Sequence, residues 1–589
     1  VAAAIVLLLV SGSLSAGAVV ASDRTSAHTV VPLPSQASAG EGAGASRTAR
    51  AGAPPVVETA LDPTLCPAPL ACDDDLAAAL ELESRIADHL WYGQILEIDY
   101  RSAARTLGDV ASIGAWGDSG LWTGTYLAAE SFRYAAARDA LADAGLPDDV
   151  RASWTAQKAE AKARIDEIVA KYHLNVNIAQ GWHTELAPSV DPSTSDPKVS
   201  YGGGIVQGEP GMLMRSCAPT DAPPGRQMSP NKRVFGPFPW EDGKQYYCET
   251  APSRDTYAGT TFGLLTAFDL VGPDDPALQA MIRADVITLA DFLVRHGWSY
   301  PRPHGNVNIP VGEQKIGGQK VPLTGHDFDG VVSPLFVYVP MARLNMTQAA
   351  RHVAAVAGSD VEAATWEAVW HEELLTQGPL LAGSMEIDSA EPNAGYYKFN
   401  LHHLTFFTTL RLEPDPAVRL LLAHALGVMD KTTGDDINAH FEAITYALSG
   451  EAPRLQASLE HLRQWRDYRA TTSSGVAVDN KARCGTAIAC VPDDQWNAVI
   501  DGPAGPVDVM TRPGTSTNLR ARSPLPVALR PPTDFLWQRP PTALNGIEGP
   551  THAAPGVDYL LPYWMLRYYT EVAAPLGTPL PAWPGPSHQ

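Results

Sequence analysis

From about Asp73 to about residue 470, apolar positions recur at the three- and four-residue steps of helices that each bury a face. The pattern predicts helices over 74–105, 119–143, 147–172, 256–271, 275–296, 330–356, 360–376, 397–412, 415–430, 436–449 and 452–469, with a last one over 556–572. Asp148 or Asp149, Ser253 and Asp415 stand where N-caps are expected. Pro273 with Pro276, and Pro414 with Pro416, punctuate short turns. Loops so short force neighbouring helices into antiparallel hairpins. Twelve helices in hairpins is the number an (α/α)6 toroid requires, so the expected class is all-α with that architecture. An α-solenoid would repeat every ~30–45 residues, and no such period is visible.

Between the helices lie two long non-helical stretches, 174–252 and 297–329, rich in Gly, Pro and aromatic residues. Long loops of this kind in a helical domain point to function. The Pro-rich tail 471–555 is expected to wrap the domain as extended chain before the last helix. Residues 1–21 form an apolar run ending in small residues, which predicts a signal peptide. Residues 22–60, poor in aromatics and rich in Ala, Gly, Ser and Pro, read as a disordered linker. The helical catalytic domain is then expected over 61–470, with 471–589 completing it.

The six cysteines agree with export. They fall into neighbouring pairs, Cys66/Cys72, Cys217/Cys248 and Cys484/Cys490, and neighbour pairing is the natural choice among the 15 arrangements that six cysteines allow. The chain is therefore expected outside the cell or in the periplasm, as three disulfides in an oxidising compartment. No CxxC spacing suggests zinc, and the GHDFDG segment around Asp327 lacks the downstream Glu of a calcium loop. No metal and no cofactor are expected. A formal charge of −22 without a basic stripe argues against nucleic acid as partner. No later segment is long and apolar enough to cross a bilayer.

Candidate chemistry gathers on four helix faces. In WGDSGLWTGTYLAAESFR, Asp118, Trp122, Tyr126, Ala129 and Arg133 share one stripe, with Trp116 just before it. In SRDTYAGTTFGLLTAFDL, Arg254, Asp255 and Tyr257 crowd a helix start, and Gly259 and Gly263 let another backbone come close. In GYYKFNLHHLTFF, Tyr396, Asn400 and His403 line up; in DDINAHFEAITYALSG, Asn438, Glu442 and Tyr446 do. An acid at a helix start also has a bland role, complementing the helix dipole. His183 and Glu185 add polar groups from the first long loop.

These stretches resemble the six-hairpin glycosidase-like (α/α)6 toroid proteins, which include glycoside hydrolases, uronyl hydrolases, sugar epimerases and polysaccharide lyases. The likeness covers residues 73–470 and the last helix. It implies a secreted carbohydrate-active enzyme with an oligo- or polysaccharide substrate. Sugar rings stack their C–H faces on Trp and Tyr while their hydroxyls bond to acids, amides, His and Arg. Hydrolysis needs two carboxyl groups, and Asp118 with Asp255 is the first pair, with Glu442 and Glu185 as further acids. Trp116, Trp122, Tyr126, Arg133, His183, Arg254, Tyr257, Tyr396, Asn400, His403 and Asn438 are the expected binding residues. A lyase would instead use Tyr257 or His183 as base, with Arg254 and Asn400 neutralising a uronate. A non-catalytic glycan-binding or scaffold protein could carry the same faces. The GDSG at 117–120 matches a serine-protease nucleophile loop, but a long helix follows, so Ser119 reads as a turn residue.

Overall fold

Every stretch with helical periodicity contains a helix. They are α1 (Cys72–Ile86), α2 (Ser119–Ala140), α3 (Asp148–Asn177), α4 (Arg254–Leu270), α5 (Pro276–Arg295), α6 (Tyr338–Ala357), α7 (Asp360–Ser389), α8 (Tyr397–Leu412), α9 (Pro416–Thr433), α10 (Ala439–Ser449), α11 (Ala452–Thr472) and α12 (Val557–Arg567). The computed structural model describes residues 72–102, 109–180, 183–186, 189–190, 200–201, 204–228, 234–250, 252–296, 298, 310–316, 319–324, 338–389, 396–472, 480–492, 497–502, 505–510, 519–531, 535–544 and 551–580. The expected signal peptide and linker lie outside these residues, as does Cys66 of the expected Cys66–Cys72 bridge.

The protein is mostly helical. The first helix ends at Ile86 and not near 105, because Tyr92 and Gly93 both adopt the left-handed conformation (φ 55° and 73°). That conformation is what a two-residue hairpin turn needs, and it joins Leu90–Trp91 to Gln94–Ile95. The chain then pairs Glu97–Tyr100 with Val110–Gly114 and with His552–Ala553. Helix α7 continues past 376 to Ser389 and accommodates Pro379. The cap of α3 is Pro147, with Asp148 and Asp149 in the first turn, where they still complement the dipole. Ser253 does cap α4, in a box with Thr256, and Asp415 caps α9 by accepting from the Ala417 N–H.

The long non-helical stretches carry short antiparallel strands. Ser216–Pro219, Gln245–Glu249 and Val234–Pro239 form one sheet, in which Cys217 faces Cys248 and is bonded to it. Cys484 and Cys490 form a second disulfide. The tail 471–555 contributes a hairpin, Asn497–Gly502 with Gly505–Met510, and further short strands and turns. Among the described residues, no helix is long and apolar enough to cross a membrane.

Burial separates the helices into two kinds. All residues of α2 from Ser119 to Ala137 are buried, as are Ala439–Leu448 of α10 and the whole of α12. A helix buried on every side must be surrounded by others. Helix α3, in contrast, buries one stripe that includes Trp154, Ala161, Ile165, Ile168 and Tyr172. The even-numbered helices pack in succession: α2 on α4, α4 on α6, α6 on α8, α8 on α10, α10 on α12, and α12 back on α2. Each is also backed by an odd-numbered neighbour, and α12 is backed by α1 as well as α11. Helix α4 additionally touches α8, where Phe262 meets Phe407 edge-on at 5.5 Å.

Glycine fixes one of these contacts. A Cβ at Gly124 would lie 1.9 Å from the carbonyl oxygen of Gly259, and one at Gly263 would lie 2.4 Å from that of Gly124. Gly120 sits against Thr256 in the same way. The order of these contacts, 120 with 256 and then 124 with 259 and 263, shows that α2 and α4 run parallel.

Candidate functional site

The parallel arrangement brings the starts of several even-numbered helices to one end. Asp118 immediately precedes α2 and Asp255 lies in the first turn of α4; both are half-buried. The Gly120–Thr256 contact makes these two helix starts neighbours.

The starts of α8 and α10 are joined more directly. Tyr396, just before α8, donates its hydroxyl to Asp436 Oδ2 at 2.6 Å. His403 lies flat on Phe441, with ring centroids 3.8 Å apart. Its Nδ1 is 2.7 Å from the Phe399 carbonyl, and burial holds its pKa well below the usual range. Asn438 caps α10 through the Phe441 N–H and donates its Nδ2 to the Trp537 carbonyl at 3.0 Å. Asn400 donates to Gln538 Oε1 at 3.1 Å.

A segment of the tail, Phe535–Gln538, therefore sits over these gathered starts. Phe535 stacks on Trp122 and meets His440 edge-on. Trp537 is fully buried and donates its indole N–H to the Asp558 carbonyl at the start of α12. Trp122 Nε1, Asn400 Oδ1, His403 Nε2 and both ring nitrogens of His440 have no hydrogen-bond partner among the described residues. Burial pushes His440 down to about 3, so it is neutral at physiological pH.

Asp436 is the electrostatic centre of this region. Burial raises its carboxyl to about 7, against the opposing pull of the Tyr396 hydroxyl and the Arg530 charge. Arg530 reaches the Asp436 carbonyl through its Nη2. A carboxyl that keeps its proton near neutrality is what general-acid chemistry uses. The sequence places Asp436 two residues before the cap of α10, in DDINAHFE, where the doubled acid was its local signal. Phe535 to Gln538 carried none, being four residues in a Pro-rich tail.

The remaining candidates lie elsewhere. Tyr126 and Arg133, on the lower half of the first stripe, face α1 and α3. Tyr126 donates to Glu83 at 3.0 Å, and Arg133 is fully buried among Glu83, Glu130 and Glu160. Burial, together with its contact to Glu83, raises Glu130 to about 8. Glu442 turns to the odd-numbered side, where its Oε2 is 2.7 Å from Nδ1 of His461 on α11. Trp116 is partly buried against two small apolar clusters, one containing Leu96 and Ile98 and the other Met228. Arg254 and Tyr257 line a gap of about 10 Å³ with Asn345, Met346 and Thr405, room for one water at most. His183 lies in the strand His183–Leu186, paired with Gln207. Among the described residues, no three His, Cys, Asp or Glu side chains could hold a metal ion.

Thus Asp118 and Asp255 sit on adjoining helix starts, Asn400, Asn438 and Trp122 meet around Phe535–Gln538, and Tyr396 and His403 join α8 to the start of α10 through Asp436 and Phe441. Tyr126, Arg133 and Glu442 belong to helix–helix interfaces. Comparison with family models, with curated proteins and with solved structures finds no match to this chain.

Proposed function

We propose that this chain is an exported carbohydrate-active hydrolase built on an (α/α)6 toroid, with the even-numbered helices as the inner ring. The cyclic packing of α2, α4, α6, α8, α10 and α12 supports that architecture. The observation that carries the reaction class is Asp436, a buried carboxyl that burial holds at about 7 beside Tyr396, among gathered inner-helix starts. Glycoside hydrolysis needs one protonated and one ionised carboxyl. Asp436 takes the acid's part, and Asp118 or Asp255 the base's or nucleophile's. Tyr397, next to Tyr396 at the start of α8, is an exposed aromatic on which a sugar ring could stack. Trp122 lies under Phe535.

A panel of oligo- and polysaccharides tests this reading, with Asp436→Asn, Asp118→Asn and Asp255→Asn as variants. Asp436→Asn is expected to lower kcat by about 10²–10⁴ with KM little changed. Turnover undiminished in all three variants sinks it. An unsaturated uronate chromophore in the products points instead to a lyase. A second reading, a non-catalytic scaffold, draws support from the way Phe535–Gln538 covers the gathered starts; glycan binding without turnover is its signature.

A further inference from the structure

Toward their C-terminal ends, α2, α4, α8 and α10 border a cavity of about 230 Å³. Phe132, Leu270, Arg411 and Leu448 line it, with Tyr568 and Tyr569 just after α12. Ala574 and Leu576 of the following segment form its rim. Protein interiors are packed so closely that few voids exceed one water. A space of this size therefore holds either several waters or a ligand, and each water needs about two to four polar partners.

Most polar groups at this wall are already spent. Thr266 gives its hydroxyl to the Phe262 carbonyl at 2.7 Å. The N–H groups of Leu576 and Thr578 go to the carbonyls of Ala447 and Leu448. Arg411 gives Nη1 to Asp269, and its Nε and Nη2 are sealed from the cavity surface. Among the described residues, the lining thus offers an occupant no unpaired charge, and a charged occupant would lose its hydration without compensation.

What the cavity does offer is aromatic. Phe132 lies 5.3 Å from Tyr568 and 6.1 Å from Tyr569, centroid to centroid, and the two tyrosine rings meet edge-on at 5.0 Å. Neither tyrosine hydroxyl has a hydrogen-bond partner among the described residues, and, unlike the Arg411 nitrogens, neither is sealed from the surface. Tyr569 is only 8% exposed and lines this cavity with the surface it keeps. An apolar cavity of about 150 Å³ already admits benzene, so this one has room for a ring, a hydroxyl and a short substituent.

We propose that this cavity binds a small neutral phenol, its ring held among Phe132, Leu270 and Leu448 and its hydroxyl on that of Tyr569. The site is independent of the proposed glycan site, which lies at the other end of the same helices.

Phenol is the probe, toluene its counterpart without a hydroxyl, and benzoate its charged counterpart. Each is titrated into the full chain by calorimetry and by thermal unfolding. Phenol is expected to bind one per chain and raise Tm, with benzoate at least about tenfold weaker. Tyr569→Phe keeps the ring and is expected to weaken phenol about fivefold or more while leaving toluene unchanged. Ala574→Trp, at the exposed rim, is expected to weaken phenol and toluene alike by filling the mouth. The proposal is overturned if phenol gives neither heat nor shift, if benzoate binds as well as phenol, or if Tyr569→Phe or folded Ala574→Trp binds phenol undiminished.

Discussion

The indole of Trp122 and the ring of Phe535 are stacked, with centroids 4.8 Å apart and planes 23° apart, although 413 positions separate them in the chain (535 − 122). This contact ties the Pro-rich tail to the helical body, since both rings are almost completely buried. Phe535→Ala is expected to destabilise the protein by about 3–5 kcal/mol, through lost burial and the cavity left behind. Phe535→Leu should cost less. Urea unfolding with an unchanged m-value measures both; a loss below about 1 kcal/mol for the alanine variant would mean the tail is not anchored there.

Glu130 predicts a pH dependence of stability. Its folded pKa is raised from 4.5 to about 8 by burial, so the folded state holds a proton that the unfolded chain has released. Stability from this group is complete below 4.5 and is lost as pH rises through about 8. Glu130→Gln is expected to flatten that part of the profile, measured as unfolding free energy across the window. An unaltered slope would show that Glu130 does not carry the proton.

Gly124→Ala separates propensity from packing. Alanine gains about 1 kcal/mol over glycine in a helix interior. Here its Cβ would fall 1.9 Å from the Gly259 carbonyl oxygen, a backbone atom that cannot yield cheaply. Steric cost should win, giving a net loss of about 1–3 kcal/mol or more. Gly114→Ala, whose Cβ meets nothing within 4 Å, is the control and should stay within about 0.5 kcal/mol.

Asp436 sets a pH limit on the proposed hydrolysis. As the acid it works only while protonated, so kcat should fall as pH rises above about 7. Tyr396→Phe removes a hydrogen bond that favours the ionised form. It is therefore expected to move the alkaline limb upward, read from the kcat–pH profile. A downward shift would contradict the stated role of the Tyr396 hydroxyl.

Helix positions were legible because burial on one or all faces leaves a periodic record, and the caps Ser253 and Asp415 were legible because capping uses few residue types. The sequence predicts too long a first helix because the Tyr92–Gly93 turn is short and its flanking residues are as apolar as those of a helix. The Asp118 stripe shows a different limit. Periodicity placed Asp118, Trp122, Tyr126 and Arg133 in line, but it could not tell that Tyr126 and Arg133 would meet Glu83 from α1, far away in sequence. The gathering of Asn400, Asn438 and Trp122 around Phe535–Gln538 depends on contacts of that same long range, which no local pattern records.

The position of α12 has a consequence for how the protein is made. It packs against α2, α10 and α1, yet it follows α11 only after the long tail from Thr472 to Val557. During synthesis α1 to α11 emerge first, and the faces of α2 and α10 that α12 covers lack that cover until residue 567 has left the ribosome. Helix α12 thus closes the succession of even-numbered helices late in synthesis, and apolar faces left open until then are the kind of transient surface that favours aggregation.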